Sequence, residues 1–233
     1  MKKKITPLLI FLLLFFSGNI SADRDRIEEE KKYSIIAEEI DSLTFYSAKK
    51  KNVFKSDTIE AVSDFKIAKE MLKGVVEFAN DDDYGENQPV KKIYFRNGSM
   101  LDLEEYSDCY FIAYFPSEDI LLCQGGHMSD LSFNLTNGKD EEEAGNPSII
   151  LHSPEKRFRL NGYFSGQDCY FYFIQEKIAG EYVKIIDMDE DFKRQSEIWP
   201  CVMGEDFWLN ENTIYYKELE GEGYFKLTII EKK

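Results

Sequence analysis

Cys169-Tyr170-Phe171-Tyr172-Phe173-Ile174-Gln175 is the stretch from which the fold is read. Aromatic and β-branched side chains fill it without a helix-favouring run, and such residues suit the pleated, half-buried surface of a strand. Phe158 to Tyr163 before it and Tyr182 to Ile186 after it have the same character. The reading extends to Lys92–Phe95, Asp108–Phe115, Ile120–Cys123, Leu131–Leu135, Ile149–His152, Phe207–Leu209, Thr213–Tyr216 and Tyr224–Ile230. Turn residues separate these segments at Asn97-Gly98, Asn137-Gly138, Gly145-Asn146-Pro147, Gly166 and Gly221-Glu222-Gly223. Short strands with that punctuation indicate an antiparallel sheet, sandwich or propeller.

Asp108-Cys109-Tyr110-Phe111 recurs as Asp168-Cys169-Tyr170-Phe171. Three stretches, Asp108 to Lys139, Ile149 to Ile186 and Glu197 to Ile230, also share an order of strand, polar turn, strand and polar loop, so each reads as one blade-like or meander unit. A closed ring needs at least four units of about 40 residues. The β region scarcely allows four, which ranks a twisted meander or sandwich ahead of a small propeller-like body.

Upstream the period changes. Tyr33, Ile36, Ile40 and Leu43 recur at helical steps, predicting a helix from Arg24 to about Leu43. A second helix is predicted from Ser56 or Asp57, carrying Ile59, Val62, Phe65, Leu72 and Val76, with Gly74 weakening its last turn and Lys49-Lys50-Lys51 as a basic turn between the two. Lys2-Lys3-Lys4, the apolar run Leu8 to Phe16 and the small residues before Asp23 form a tripartite export signal. The expected organisation is a signal peptide over 1–22, a helical region over 23–88 and an antiparallel β-rich domain over 89–233. The class is α+β, mainly β.

Of 233 residues, 29 are Lys or Arg and 44 are Asp or Glu. Removing the signal with its three lysines takes the net charge from −15 to −18. That surface disfavours nucleic acid, whose phosphates need a basic face. At 43% hydrophobic and 31% charged the chain has enough apolar mass for a core. No run beyond the signal approaches the ~20 apolar residues of a membrane helix, so no stable span is expected after cleavage. The short lysine-rich signal reads as bacterial, placing the protein in the periplasm or outside the cell.

Cys109, Cys123, Cys169 and Cys201 are an even set in a chain expected to be exported. A hairpin turning at Pro116-Ser117-Glu118-Asp119 sets Cys109 against Cys123 and leaves Cys169 for Cys201; buried free thiols are the alternative. The absence of a CxxC spacing counts against thioredoxin-type and zinc chemistry. His127, after Gly125-Gly126, reads as a turn histidine, and His152 as a partly buried strand residue. Asp187, Asp189 and Asp191 alternate as oxygen ligands do, but Phe192 and Ile198 occupy the glycine and glutamate positions of a calcium loop, so they read as a solvated turn. Asp81-Asp82-Asp83 and Asp140-Glu141-Glu142-Glu143 read as exposed loops.

No nucleophile elbow and no phosphate-cradling loop occurs in the sequence. The expectation is a protein with no catalytic residues, no metal and no cofactor. Aromatics are abundant, 18 Phe, 14 Tyr and 2 Trp, and Tyr163, Phe164, Tyr170 and Tyr172 are the candidates for stacking on a sugar or anchoring a protein. The leading reading is a non-enzymatic envelope binding protein, an inhibitor or immunity protein acting on a basic toxin or wall-degrading enzyme. Acidity steers association with such a basic partner. A carbohydrate-binding or surface-assembly module is the second reading, and a secreted hydrolase using carboxylates the third.

Overall fold

The computed structural model describes residues 32–79, 88–103, 108–167, 169–195, 203–219 and 223–232. The expected signal segment and the Asp81-Asp82-Asp83 run lie outside them. Among the described residues, fourteen strands and four short α-helices follow in order: β1 (Tyr33–Ile40), α1 (Ser42–Lys51), α2 (Phe65–Met71), β2 (Val76–Phe78), β3 (Val90–Tyr94), β4 (Met100–Asp102), β5 (Tyr110–Phe115), β6 (Ile120–Gln124), β7 (Asp130–Asn134), α3 (Glu141–Ala144), β8 (Leu151–His152), β9 (Phe158–Phe164), β10 (Tyr170–Ile178), β11 (Glu181–Asp187), α4 (Met188–Gln195), β12 (Met203–Asn210), β13 (Thr213–Glu218) and β14 (Tyr224–Glu231). They form four antiparallel sheets: β2-β3-β4, β5-β6-β7, β8-β9-β10-β11, and β12-β13-β14 closed by β1. Three of these sheets coincide with the units read from the sequence. The echoed tetrapeptide does not mark equivalent places: Tyr110 opens an outer strand of its sheet and Tyr170 an inner one.

The predicted first helix is corrected by β1. Tyr33 and Ile35 are buried while Ile36 is 45% exposed, so the segment uses its two-residue period rather than its helical one. Eight paired positions, from Tyr33 opposite Glu231 to Ile40 opposite Tyr224, satisfy an edge of β14 that would otherwise stand open. The helix in this region is α1 instead, capped by Asp41, whose carboxylate accepts the Thr44 amide at 2.8 Å. Lys49, Lys50 and Lys51 form its last turn, where cations suit the helix dipole.

The predicted second helix shrinks to α2. Val62 exchanges both backbone hydrogen bonds with Tyr114, at 2.8 and 3.0 Å, which commits it to extended geometry. Helix therefore starts only after Asp64, whose side chain accepts the Ile67 amide at 3.0 Å. Ser56 and Asp57 cap nothing; the Ser56 hydroxyl accepts the His152 amide and Asp57 pairs with Lys156. Gly74, at φ +79°, turns the chain from α2 into β2. The sequence boundary at 88/89 is crossed twice by pairing, β1 with β14 and β2 with β3.

Two main cores result. Phe65, Leu72, Val76, Phe78, Ile93, Phe111, Leu121 and Phe133 fill the space among α2, β2–β4 and β5–β7. Tyr33, Phe158, Tyr172, Ile174, Trp208, Tyr216 and Phe225 fill the space between β8–β11 and the last sheet. Phe45 of α1 adds a satellite cluster against Phe207 and Tyr215. Polar contacts join the halves: Arg159 on β9, 4% exposed, binds Glu118 of the β5–β6 turn at 2.7 Å, and Asp130 on β7 accepts from Asn146 and from the Phe164 amide, each at 2.9 Å.

Candidate functional site: an acid-rimmed apolar cleft

Asp119 sits at φ +51° in the turn between β5 and β6 and gathers one end of the first two sheets. It accepts two bonds from Arg96, at 2.7 and 3.0 Å, and one each from Tyr114 at 2.9 Å and Thr136 at 2.7 Å. Burial opposes ionisation of this carboxyl, yet the Arg96 guanidinium and the two hydroxyls hold its pKa below the usual range. Asn97 reaches the Asn137 carbonyl at 2.8 Å, pinning the tip of the β3–β4 hairpin to the turn after β7.

Beyond this clasp the sheets part into a cleft of about 910 Å³. Phe95, Leu101, Leu103, Leu131 and Phe133 make its apolar wall, with Cys109 among them, and Asp108, Asp140 and Glu141 bring carboxylates to it. Its size falls within the ~300–1,000 Å³ common for ligand sites, which are also mainly apolar with a few polar groups. Met100 at the rim is 54% exposed.

The acidic run 140–143, expected as an exposed loop, forms α3 and is held in place. Asn161 of β9 donates to the Ala144 carbonyl at 2.8 Å, and Gln175 of β10 donates to the Glu143 carbonyl at 2.7 Å. Gln175 in turn accepts from Arg159 at 2.6 Å, whose guanidinium lies 4.0 Å over the Tyr182 ring. Gly145 follows at φ +65°, and a Cβ there would run into the Asn161 side chain. The half-buried Glu141 has its pKa raised, first by desolvation and then by Asp140 and Glu142, against bonds that its carboxylate accepts from backbone amides, including that of Ser132.

Beside α3, which packs on β9, the β9–β10 register sets Tyr163 opposite Phe171, with rings stacked at 5.4 Å. Both are half-buried. Burial first, and then Glu142, Glu141, Asp187 and Asp140, push the Tyr163 phenol up to about 12. Glu141 thus belongs to the cleft and to the carboxylate field around this aromatic pair. Phe164 and Tyr170 pair at 5.2 Å on the opposite face of the hairpin, both partly open to solvent. Tyr172 is a correction: it is a core residue, 8% exposed, whose hydroxyl accepts the Met203 amide at 3.2 Å.

No protein-family model, curated protein or solved structure matches the chain.

The other candidates fall away from the cleft or take different roles. His127 lies in an exposed turn at φ +55°. His152 is 8% exposed and packs on Tyr182 at 5.6 Å; burial first, and then Arg159, lower its pKa. Asp187, Asp189 and Asp191 do not form a solvated turn. Asp187 ends β11 and accepts the Glu190 amide at 3.3 Å, while the other two lie in the first turn of α4.

Cys109 and Cys123 do share the hairpin, but as free, buried thiols rather than the expected disulfide. Phe111, not Cys109, lies directly opposite Cys123, so the cysteines are diagonal neighbours. Their thiols meet through a hydrogen bond, and burial pushes the Cys123 thiol far above its ordinary value. Cys169 leads into β10, and Cys201 lies outside the described residues; their pairing is a proposal. The cleft itself was invisible in the sequence, because its wall comes from β3, β4 and β7, and only the acidic run beside Gly145 signalled the rim.

Proposed function

We propose that the protein is an exported, non-enzymatic binding protein of the bacterial envelope that inhibits or neutralises a basic toxin or wall-degrading enzyme. The cleft is its contact site in this reading. The observation that carries it is an apolar cavity with three carboxylates around it, in a chain of net charge −15. Such a cavity rewards burial of apolar side chains, while the surrounding field favours a cationic neighbour and steers its approach. The four meander units, the last closed by the first strand, support a propeller-like body that carries the cleft between two of its sheets.

The test is retention of envelope proteins on the immobilised protein at low and high salt, followed by titration of each retained protein's activity. The expected result is a basic protein held at one-to-one stoichiometry, bound more weakly in salt and inhibited on binding. Retention of no basic protein at either salt overturns the reading.

A glycan-binding alternative is favoured by one specific feature, the half-exposed Tyr163–Phe171 stack beside carboxylates that can accept from sugar hydroxyls. Glycan binding that is lost in Tyr163→Ala, with the fold retained, would favour this reading over the first.

A further inference from the structure

The cleft and the Tyr163–Phe171 stack meet at one element, α3. Glu141 lines the first, and its carboxylate belongs to the field around the second. α3 joins them and is rigid: its last carbonyls are bonded by Asn161 and Gln175, and Gln175 is anchored by the buried Arg159–Glu118 pair. An apolar cavity and an aromatic ring pair with carboxylates on one side are therefore kept at fixed separation.

Each part selects a different chemistry. The wall of Phe95, Leu101, Leu103, Leu131 and Phe133 offers no charged partner and gains from excluding water. Its volume of about 910 Å³ has room for two adjacent apolar side chains together with the backbone that joins them. A ring face attracts a cation within about 6 Å of its centroid, an attraction that grows when the site is partly desolvated. The phenol of Tyr163 is already half-buried among Glu142, Glu141, Asp187 and Asp140, so a cation there meets both the ring and unlike charge.

We propose that the occupant is a short segment of a partner protein in which two apolar residues are flanked by arginine or lysine, the apolar pair entering the cleft and one cation lying between α3 and the Tyr163–Phe171 stack. This rests on the partner-binding reading above and names what that partner presents. The apolar pair supplies most of the affinity; the cation fixes direction and excludes acidic segments, since opposing like charges is costly.

Three synthetic probes test it on the purified protein: acetyl-Arg-Leu-Met-Lys-amide, acetyl-Glu-Leu-Met-Glu-amide and acetyl-Arg-Gly-Gly-Lys-amide. Binding is followed by methyl NMR signals of Met100, Leu101, Leu103 and Leu131. The first probe is expected to shift these methyls, with each of the others about tenfold weaker or worse. Tyr163→Leu should weaken the first probe several-fold while leaving an uncharged acetyl-Gly-Leu-Met-Gly-amide unaffected. Should that variant not fold, the exposed Glu142→Gln makes the same comparison. Equal shifts from all probes, shifts confined to other methyls, or no shift from the first probe overturn the proposal. If a basic envelope protein is still captured and inhibited while the probes fail, the functional reading stands and this assignment of the cleft falls. If the probes bind and no such protein is captured, the reverse holds.

Discussion

Two sheet-to-sheet interfaces in this molecule are built from similar strands and end differently. Between β8–β11 and the last sheet, Trp208, Tyr216 and Phe158 are all less than 2% exposed, and large rings occupy the space. Between β2–β4 and β5–β7 the clasp around Asp119 closes one end, and at the other end Leu101, Leu131 and Phe133 line the cleft. Packing at interior density leaves few voids, so an opening of this size marks a place where stability has been given up. The carboxylates of Asp108, Asp140 and Glu141 stand beside that opening. The filled interface holds the fold together, and in the proposed reading the open one receives a partner.

The sharpest test of this contrast sets one side chain from each interface against the other. Trp208→Ala removes a fully buried indole whose Nε1 donates to the Leu151 carbonyl at 2.8 Å, and should cost ~3–5 kcal/mol in denaturant unfolding. Leu131→Ala, beside an existing cavity, should cost about 1 kcal/mol. Equal losses would erase the distinction between the interfaces.

Arg159→Ala acts on the joint between the halves. It leaves Glu118 and Gln175 without their buried partner and should cost ~3 kcal/mol. It should also weaken binding at the cleft, because α3 loses its anchor. Unchanged stability would mean that the joint carries no weight. Gly145→Ala is expected to cost ~2 kcal/mol, combining left-handed backbone strain with displacement of Asn161; a neutral effect would show that α3 can shift freely.

A pH signature within the filled half isolates a single carboxyl. Burial raises the Asp206 carboxyl from 3.8 to about 6, with Glu205 adding to the shift. The folded state then binds this proton more tightly than the unfolded one, so the group's contribution is fully present below about pH 4 and is lost as pH rises through 6. Asp206→Asn should therefore stabilise the protein by ~3 kcal/mol at pH 7 and by almost nothing at pH 4. An equal gain at both values would assign the effect to something other than this carboxyl.

Between Val90 and Glu231 the strands other than β4 could be read from sequence because β-branched and aromatic residues with clear turn signals leave little competition; Met100–Asp102 was missed because it is short and has only one apolar residue beyond Met100. Tyr33–Ile40 could not. Its apolar residues fit a helical period as well as an alternating one, and the choice was made by the open edge of β14, nearly two hundred residues away. Val62 was misread for the same reason, its amide being committed to Tyr114. The acidic run 140–143 was seen, but not that Asn161 and Gln175 would hold it beside a cleft. Tyr163 was found by its place in a hairpin. Tyr172, one position out of phase with Phe171, was assigned outward, and the pleat turned it into the core.

The central claim is that the acid-rimmed cleft is where a basic partner docks. The most direct measurement is amide hydrogen exchange on the protein alone and saturated with its captured partner. Protection confined to Met100–Leu103, Leu131–Phe133, α3 and the Tyr163–Phe171 pair is the predicted result. Protection on β12 and β13, with the cleft segments exchanging as they do in the free protein, would contradict the account.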